Sequence, residues 1–167
     1  MPRNDAETAG ALVRIYRTAL IVGRVDPRQP RTSRVNRYLI LYLATALVML
    51  PLDLVFLGFV ARGFFNSQVG DMLGEVRLLP AILFYLIYVG GIVVFVNGAV
   101  GATWQSALLY GALFGLVCYA TFELTSMSLL KHWSWGVVAV DMTWGTVVTA
   151  SAATLGLLLG NWWIVRG

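Results

Sequence analysis

Three acids set inside apolar stretches, Asp53, Glu123 and Asp141, are the residues of this sequence whose type and position could do chemistry. An ionisable group in hydrocarbon is costly unless it faces a partner, water or the inside of a helix bundle, so each acid marks an inward-facing position. Counted at about 1.5 Å per residue from the nearer helix ends, Asp53 lies about 12 Å deep, Glu123 about 10 Å and Asp141 about 8 to 9 Å, all on one side of the membrane. Three carboxyls on three segments therefore share a layer. If they converge, they cannot all ionise in a low-dielectric interior without compensation, and at least one is expected to hold a proton and bond to another acid or a tyrosine.

The spacing around the acids supports an inward aim. Gly111, Gly115, Tyr119 and Glu123 recur every four residues, a small-residue seam that lets a neighbouring backbone approach and carries the acid on the same line. Asp141, Gly145, Thr149, Ala152 and Gly156 form a matching stripe, with Trp144 one turn from Asp141. Tyr85 and Tyr88 share a stripe with Phe95, and Tyr85 reaches the acid level. Pro51, just before Asp53, is expected to kink its helix and free a carbonyl there. Thr121, Thr125, Ser126 and Ser128 are candidate hydroxyl partners of Glu123, and Arg62, Arg77, Lys131 and His132 are cations at the same mouth. The candidate ligand-binding set is thus Asp53, Tyr85, Tyr88, Tyr119, Glu123, Asp141 and Trp144. Set against it is a purely structural role, in which hydrogen-bonded acids fix helix register. A carboxylate-only cation site is incomplete, because hard cations need more oxygen ligands than three acids identify.

The elements that must position these residues are membrane spans. Of 167 residues, 59% are apolar and 12% charged, and eight of the twelve Lys and Arg lie before Tyr38, which leaves the remainder too poor in charge to solvate a globule. Apolar stretches of about 20 residues, enough to cross about 30 Å of hydrocarbon, predict spans over 38–61, 78–96, 106–130 and 135–159, with Trp162 and Trp163 as interfacial anchors. The expected fold is all-α, a four-helix transmembrane bundle with an N-terminal basic interfacial helix. The short 131–134 connection makes the last two spans antiparallel neighbours. The N-terminal tail, the second connection and the C-terminus hold nine Lys or Arg, against three in the other connections. The positive-inside rule then places both termini in the cytoplasm of a bacterial inner membrane.

Residues 1–37 read as a cytoplasmic basic tail. Leu12, Ile15, Tyr16, Ala19, Leu20 and Gly23 fall on one helical face, opposite Arg14, Arg17, Thr18 and Arg24. Asp26-Pro27 stops that helix, and Arg28 to Arg34 is a basic linker. Arg14, Arg17, Arg24, Arg28, Arg31, Arg34 and Arg37 suit anionic headgroups or a partner protein, and nucleic-acid binding is disfavoured because Tyr16 is the tail's one aromatic.

The remaining inventory excludes much. A single cysteine, Cys118, and a single histidine, His132, rule out a disulfide, an iron-sulfur or structural zinc site, a His-rich di-iron centre and a bis-histidine haem built from this chain alone. The sequence has no phosphate-binding loop, G-x-S-x-G elbow or H-E-x-x-H motif. No cofactor, metal site or catalytic residue is expected; Cys118 reads as a packing residue and His132 as part of an interfacial belt with Trp133 and Trp135.

Four motifs in order then carry a resemblance. They are Leu52-Asp53-x-x-Phe56-Leu57-Gly58, Phe84-Tyr85-x-x-Tyr88-x-x-Gly91, Gly111-Ala112-Leu113-Phe114-Gly115 with Tyr119 to Thr125, and Val140-Asp141-Met142-Thr143-Trp144-Gly145-Thr146. Together they resemble the small bacterial four-helix membrane proteins catalogued as domain of unknown function 2177. The resemblance implies a four-span inner-membrane fold and assigns no activity. Phe56 stands where that pattern usually has Trp, and Phe122-Glu123-Leu124-Thr125-Ser126 stands for Tyr-Asp-Leu-Thr-Asn.

Three functions are compatible with these readings. The favoured one is a non-catalytic accessory or assembly subunit of a larger, energy-transducing membrane complex, with other membrane-protein subunits as partners. The second is a binding or carrier protein for a lipid or isoprenoid amphiphile held in an acidic pocket on the periplasmic side. The third is a lipid-modifying enzyme using Glu123 and Asp141 as acid and base.

Overall fold

The computed structural model of the chain describes residues 31–72 and 74–166. Helix Arg31–Val55 runs into a π-helical segment Phe56–Ala61, continues as Arg62–Val69 and ends in a 3-10 turn at Gly70–Met72. Helix Leu78–Ile92 likewise passes into a π-helical segment, Val93–Asn97. The last two helices are Trp104–Leu129 and Trp135–Arg166. Four stretches, Asn36–Phe59, Leu78–Asn97, Trp104–Leu129 and Trp135–Arg166, are long and apolar enough to cross a membrane. In hydrocarbon every backbone N–H and C=O must be satisfied within its own segment, which makes such stretches helical despite their many Val, Ile and Thr residues.

Helix ends are set by local chemistry. The third span opens with a capping box, in which Ser106 N donates to Thr103 Oγ1 at 3.2 Å and Thr103 N donates to Ser106 Oγ at 2.9 Å. Gly101, at φ 76°, makes the turn before it, a conformation that only glycine enters without strain.

Helices extend past the expected spans in three places. Residues 62–69, assigned to a connection, continue the first helix, because a charge at Arg62 marks where hydrocarbon ends and does not break a backbone ladder. For the same reason the stretch from Arg31, read as linker, is already helical, and the fourth helix reaches Arg166. Pro51 lies inside helix Arg31–Val55, and the ladder widens into the π-helical segment from Phe56 onward. The amphipathic helix expected before Pro27 lies outside the described residues, as do Arg14, Arg17, Arg24 and Arg28.

The third and fourth spans pack most closely, glycine to glycine. A Cβ on Gly111 would lie 2.9 Å from Ala153 Cβ, one on Gly115 would lie 2.7 Å from Thr149 Cβ, and the Tyr119 ring occupies the place of a Gly145 side chain. These pairs, 111 with 153, 115 with 149 and 119 with 145, keep one antiparallel register. Thr45 and Leu41 of the first span press on Gly156 and Gly160 of the fourth, and Phe114 of the third presses on Gly91 of the second. Tyr42 donates to Leu86 O at 3.1 Å, tying the first span to the second. Leu41, Met49, Val89, Ile92, Val148 and Leu157 fill the interior, while Leu43, Ile87, Val117 and Val147 face outward, as acyl-chain solvent requires.

Candidate functional site

The acid layer is built by these contacts. Asp53, 5% exposed, is held from two other spans: Trp144 Nε1 donates to Oδ1 at 2.8 Å and Tyr85 OH donates to Oδ2 at 3.0 Å. Two donors on two oxygens suit a carboxylate, which only accepts. A face of the indole meets Phe56, stacked on Trp144 with ring centroids 4.1 Å apart and planes 6° from parallel. That pair floors a groove of about 440 Å³ between the first and fourth spans, lined also by Ala139, Val140, Thr143 and Val147. The groove is apolar, since the Thr143 hydroxyl turns back to Ala139 O at 2.7 Å.

Glu123 is fully buried. Trp133, in the short loop before the fourth span, donates Nε1 to its Oε2 at 2.7 Å, whereas Oε1 has no hydrogen-bond partner. The glycine-seam register, continued one turn, sets 123 opposite 141, and Trp144, the donor to Asp53, lies one turn from Asp141 on the same helix. The three acids expected to share a layer are therefore brought together.

Tyrosines fill the space beneath. Thr149 Oγ1 donates to Gly145 O at 2.6 Å, so Tyr88 OH is the donor in its 2.8 Å bond to Thr149. Tyr119 packs edge-on against Tyr88, with centroids 6.1 Å apart, and lies within electrostatic reach of Asp53 and Asp141.

Some expected partners are not used. Thr121 and Ser128 bond back to Val117 O and Thr125 O, each on its own helix, and among the described residues none of Thr121, Thr125, Ser126 and Ser128 donates to Glu123. Hydroxyls on neighbouring turns satisfy their own carbonyls first, and the carboxyl reaches across to an indole instead. Arg62, Arg77, Lys131 and His132 are exposed, and the side-chain partners of Asp53 and Glu123 are neutral. Phe95 is 74% exposed and stacks on Phe114, outside the layer. Of the arginines expected at a docking surface, Arg31, Arg34 and Arg37 fall on the first helix, with Arg37 half-buried.

Sequence reasoning missed two members of the layer and one buried amide away from it. Trp133 was assigned to an interfacial belt, although its place in a short loop ten positions after Glu123 was a usable signal. Phe56 was noted as a motif position and not as the partner of Trp144. Asn97, fully buried at the end of the second span, donates to Ala153 O at 3.0 Å and to Thr45 Oγ1 at 3.4 Å, while its Oδ1 has no partner. It stood at a presumed connection, where polarity carried no signal.

An α-helical membrane protein with four candidate spans and an interior layer of acids held by indoles and phenols is what this geometry defines. The chain belongs to the family described as Predicted membrane protein (DUF2177), whose model matches residues 38–158 and so takes in all four spans to near the end of the last. That match bears out the resemblance carried by the four motifs. None of the curated proteins and none of the solved structures matches the chain.

Proposed function

We propose that this protein is an integral binding or carrier protein for a lipid-like amphiphile, with the acyl or isoprenoid part in the groove over Phe56 and Trp144 and the polar head toward the acids. The observation that carries this reading is the double use of Trp144: one face of its indole floors a lipid-accessible apolar groove, and its N–H holds Asp53. Ligand sites commonly pair an apolar lining with a few placed polar groups, and here both meet at one side chain. The cation count of the connections favours an inner-membrane orientation with both termini cytoplasmic, which would set the groove in the periplasmic leaflet.

Purification in mild detergent followed by lipid mass spectrometry tests the proposal. A discrete amphiphile should be retained by the wild-type chain and lost from Val140→Trp, which fills the groove, while Leu43→Trp on another lipid-facing surface retains it. Equal retention by all three, or only bulk lipid in the wild type, refutes it. The accessory-subunit reading leans on the basic tail, most of which lies outside the described residues, and an acid–base enzyme would need Glu123 to reach substrate from a fully buried position.

A further inference from the structure

We propose that Glu123 and Asp141 form a proton-binding site, one proton held between two carboxyls across the interface of the third and fourth spans. Two geometric observations lead there. The register set by Gly111, Gly115 and Tyr119 brings 123 and 141 face to face. Glu123 Oε1 is fully buried and has no donor, although its sister oxygen is satisfied by Trp133 at 2.7 Å. Asp141 stands at the facing position of the fourth span in that register, and no side-chain or backbone hydrogen is donated to it among the described residues.

A buried acceptor without a donor is rare and calls for a missing partner. Two carboxyls in contact supply one if a single proton lies between them, because a protonated acid donates where a carboxylate only accepts. Two charges at this contact would repel in a medium that screens little. The titratable groups around the pair are Asp53 from the first span and Tyr119 from the third, neither of them a cation that could replace the proton.

The proton then acts as a structural ligand. With it bound, the pair is a cross-link at the loop end of the two most tightly packed spans. Once it leaves, like charges push apart the same end that the five-residue loop 130–134 and Trp133 hold together. The site needs no amphiphile and stands whether or not the groove is occupied.

Infrared spectroscopy of the full chain in dodecyl maltoside, which has no carbonyl group of its own, tests this at neutral pH. The C=O stretch of one protonated carboxylic acid should be seen, should shift in D2O, and should vanish in both Glu123→Gln and Asp141→Asn, where an amide N–H replaces the shared proton. Asp53→Asn should keep the band, and Trp133→Phe, which leaves both acids in place, should shift it. Absence of the band in the wild type overturns the proposal, as does its survival in either dyad variant, its loss in Asp53→Asn, or an unchanged position in Trp133→Phe. The tryptophan variant keeps the question decidable if a dyad variant does not fold.

Discussion

Tyr85→Phe removes one oxygen atom and nothing else from the acid layer. It takes away the 3.0 Å bond to Asp53 Oδ2 and leaves that oxygen in a site where the residue is 5% exposed. Interhelical hydrogen bonds in membranes average about 0.6 kcal/mol and reach about 1.7. Bonds to charged groups in proteins contribute about 1.5 to 3 kcal/mol. The overlap of those ranges puts the expected loss at about 1.5 to 1.7 kcal/mol, provided Asp53 is the charged acceptor its two donors imply. The companion substitution sharpens the test. In Asp53→Asn the amide can still accept from Trp144 and can donate to Tyr85 OH, so both bonds persist as neutral ones. Tyr85→Phe in that background should therefore cost only about 0.6 kcal/mol. Unfolding of the purified chain by SDS in mixed micelles at neutral pH, followed by circular dichroism, measures all four corners of the cycle. A coupling between the two positions smaller than about 0.3 kcal/mol, the usual error of additivity, would refute the assignment of Asp53 as an ionised acceptor.

Gly115→Ala should destabilise by about 1 to 3 kcal/mol in the same assay, because its new methyl meets the Thr149 side chain and the Gly145 carbonyl, whereas Gly58→Ala, with open space around it, should be neutral or slightly stabilising. Thr149→Val should cost about 1 kcal/mol by leaving Tyr88 OH without its acceptor, and a value indistinguishable from zero would mean that the bond is replaced by another. In a Cys118→Ser background, Lys131→Cys should react with an impermeant maleimide on intact cells and Arg166→Cys only after permeabilisation; the reverse pattern inverts the topology proposed from the cation count.

How far the sequence reveals the structure depends on which residues carry periodic information. The four spans follow from hydropathy, and the glycine seam was legible because Gly111, Gly115, Gly145 and Gly156 recur at spacings that only close helix contact explains. The same spacings put Glu123 and Asp141 on facing lines, so their meeting was readable once antiparallel pairing was granted. The donors were less legible. Whether Glu123 is served by Ser, Thr or Trp depends on where a short loop folds back, and periodicity within helices says nothing about that. The π-helical segments at Phe56–Ala61 and Val93–Asn97 were invisible because one extra residue in a turn leaves hydropathy unchanged. Helices run on beyond the expected spans because charge reports the membrane surface and not the backbone.

Tyr119 can lie across the fourth span only because position 145 has no side chain. The two residues therefore form a lock and its keyhole on different helices. Any relative that fills 145 must shrink 119 at the same step, and a library randomised at both positions should return bulk at one or the other but never at both.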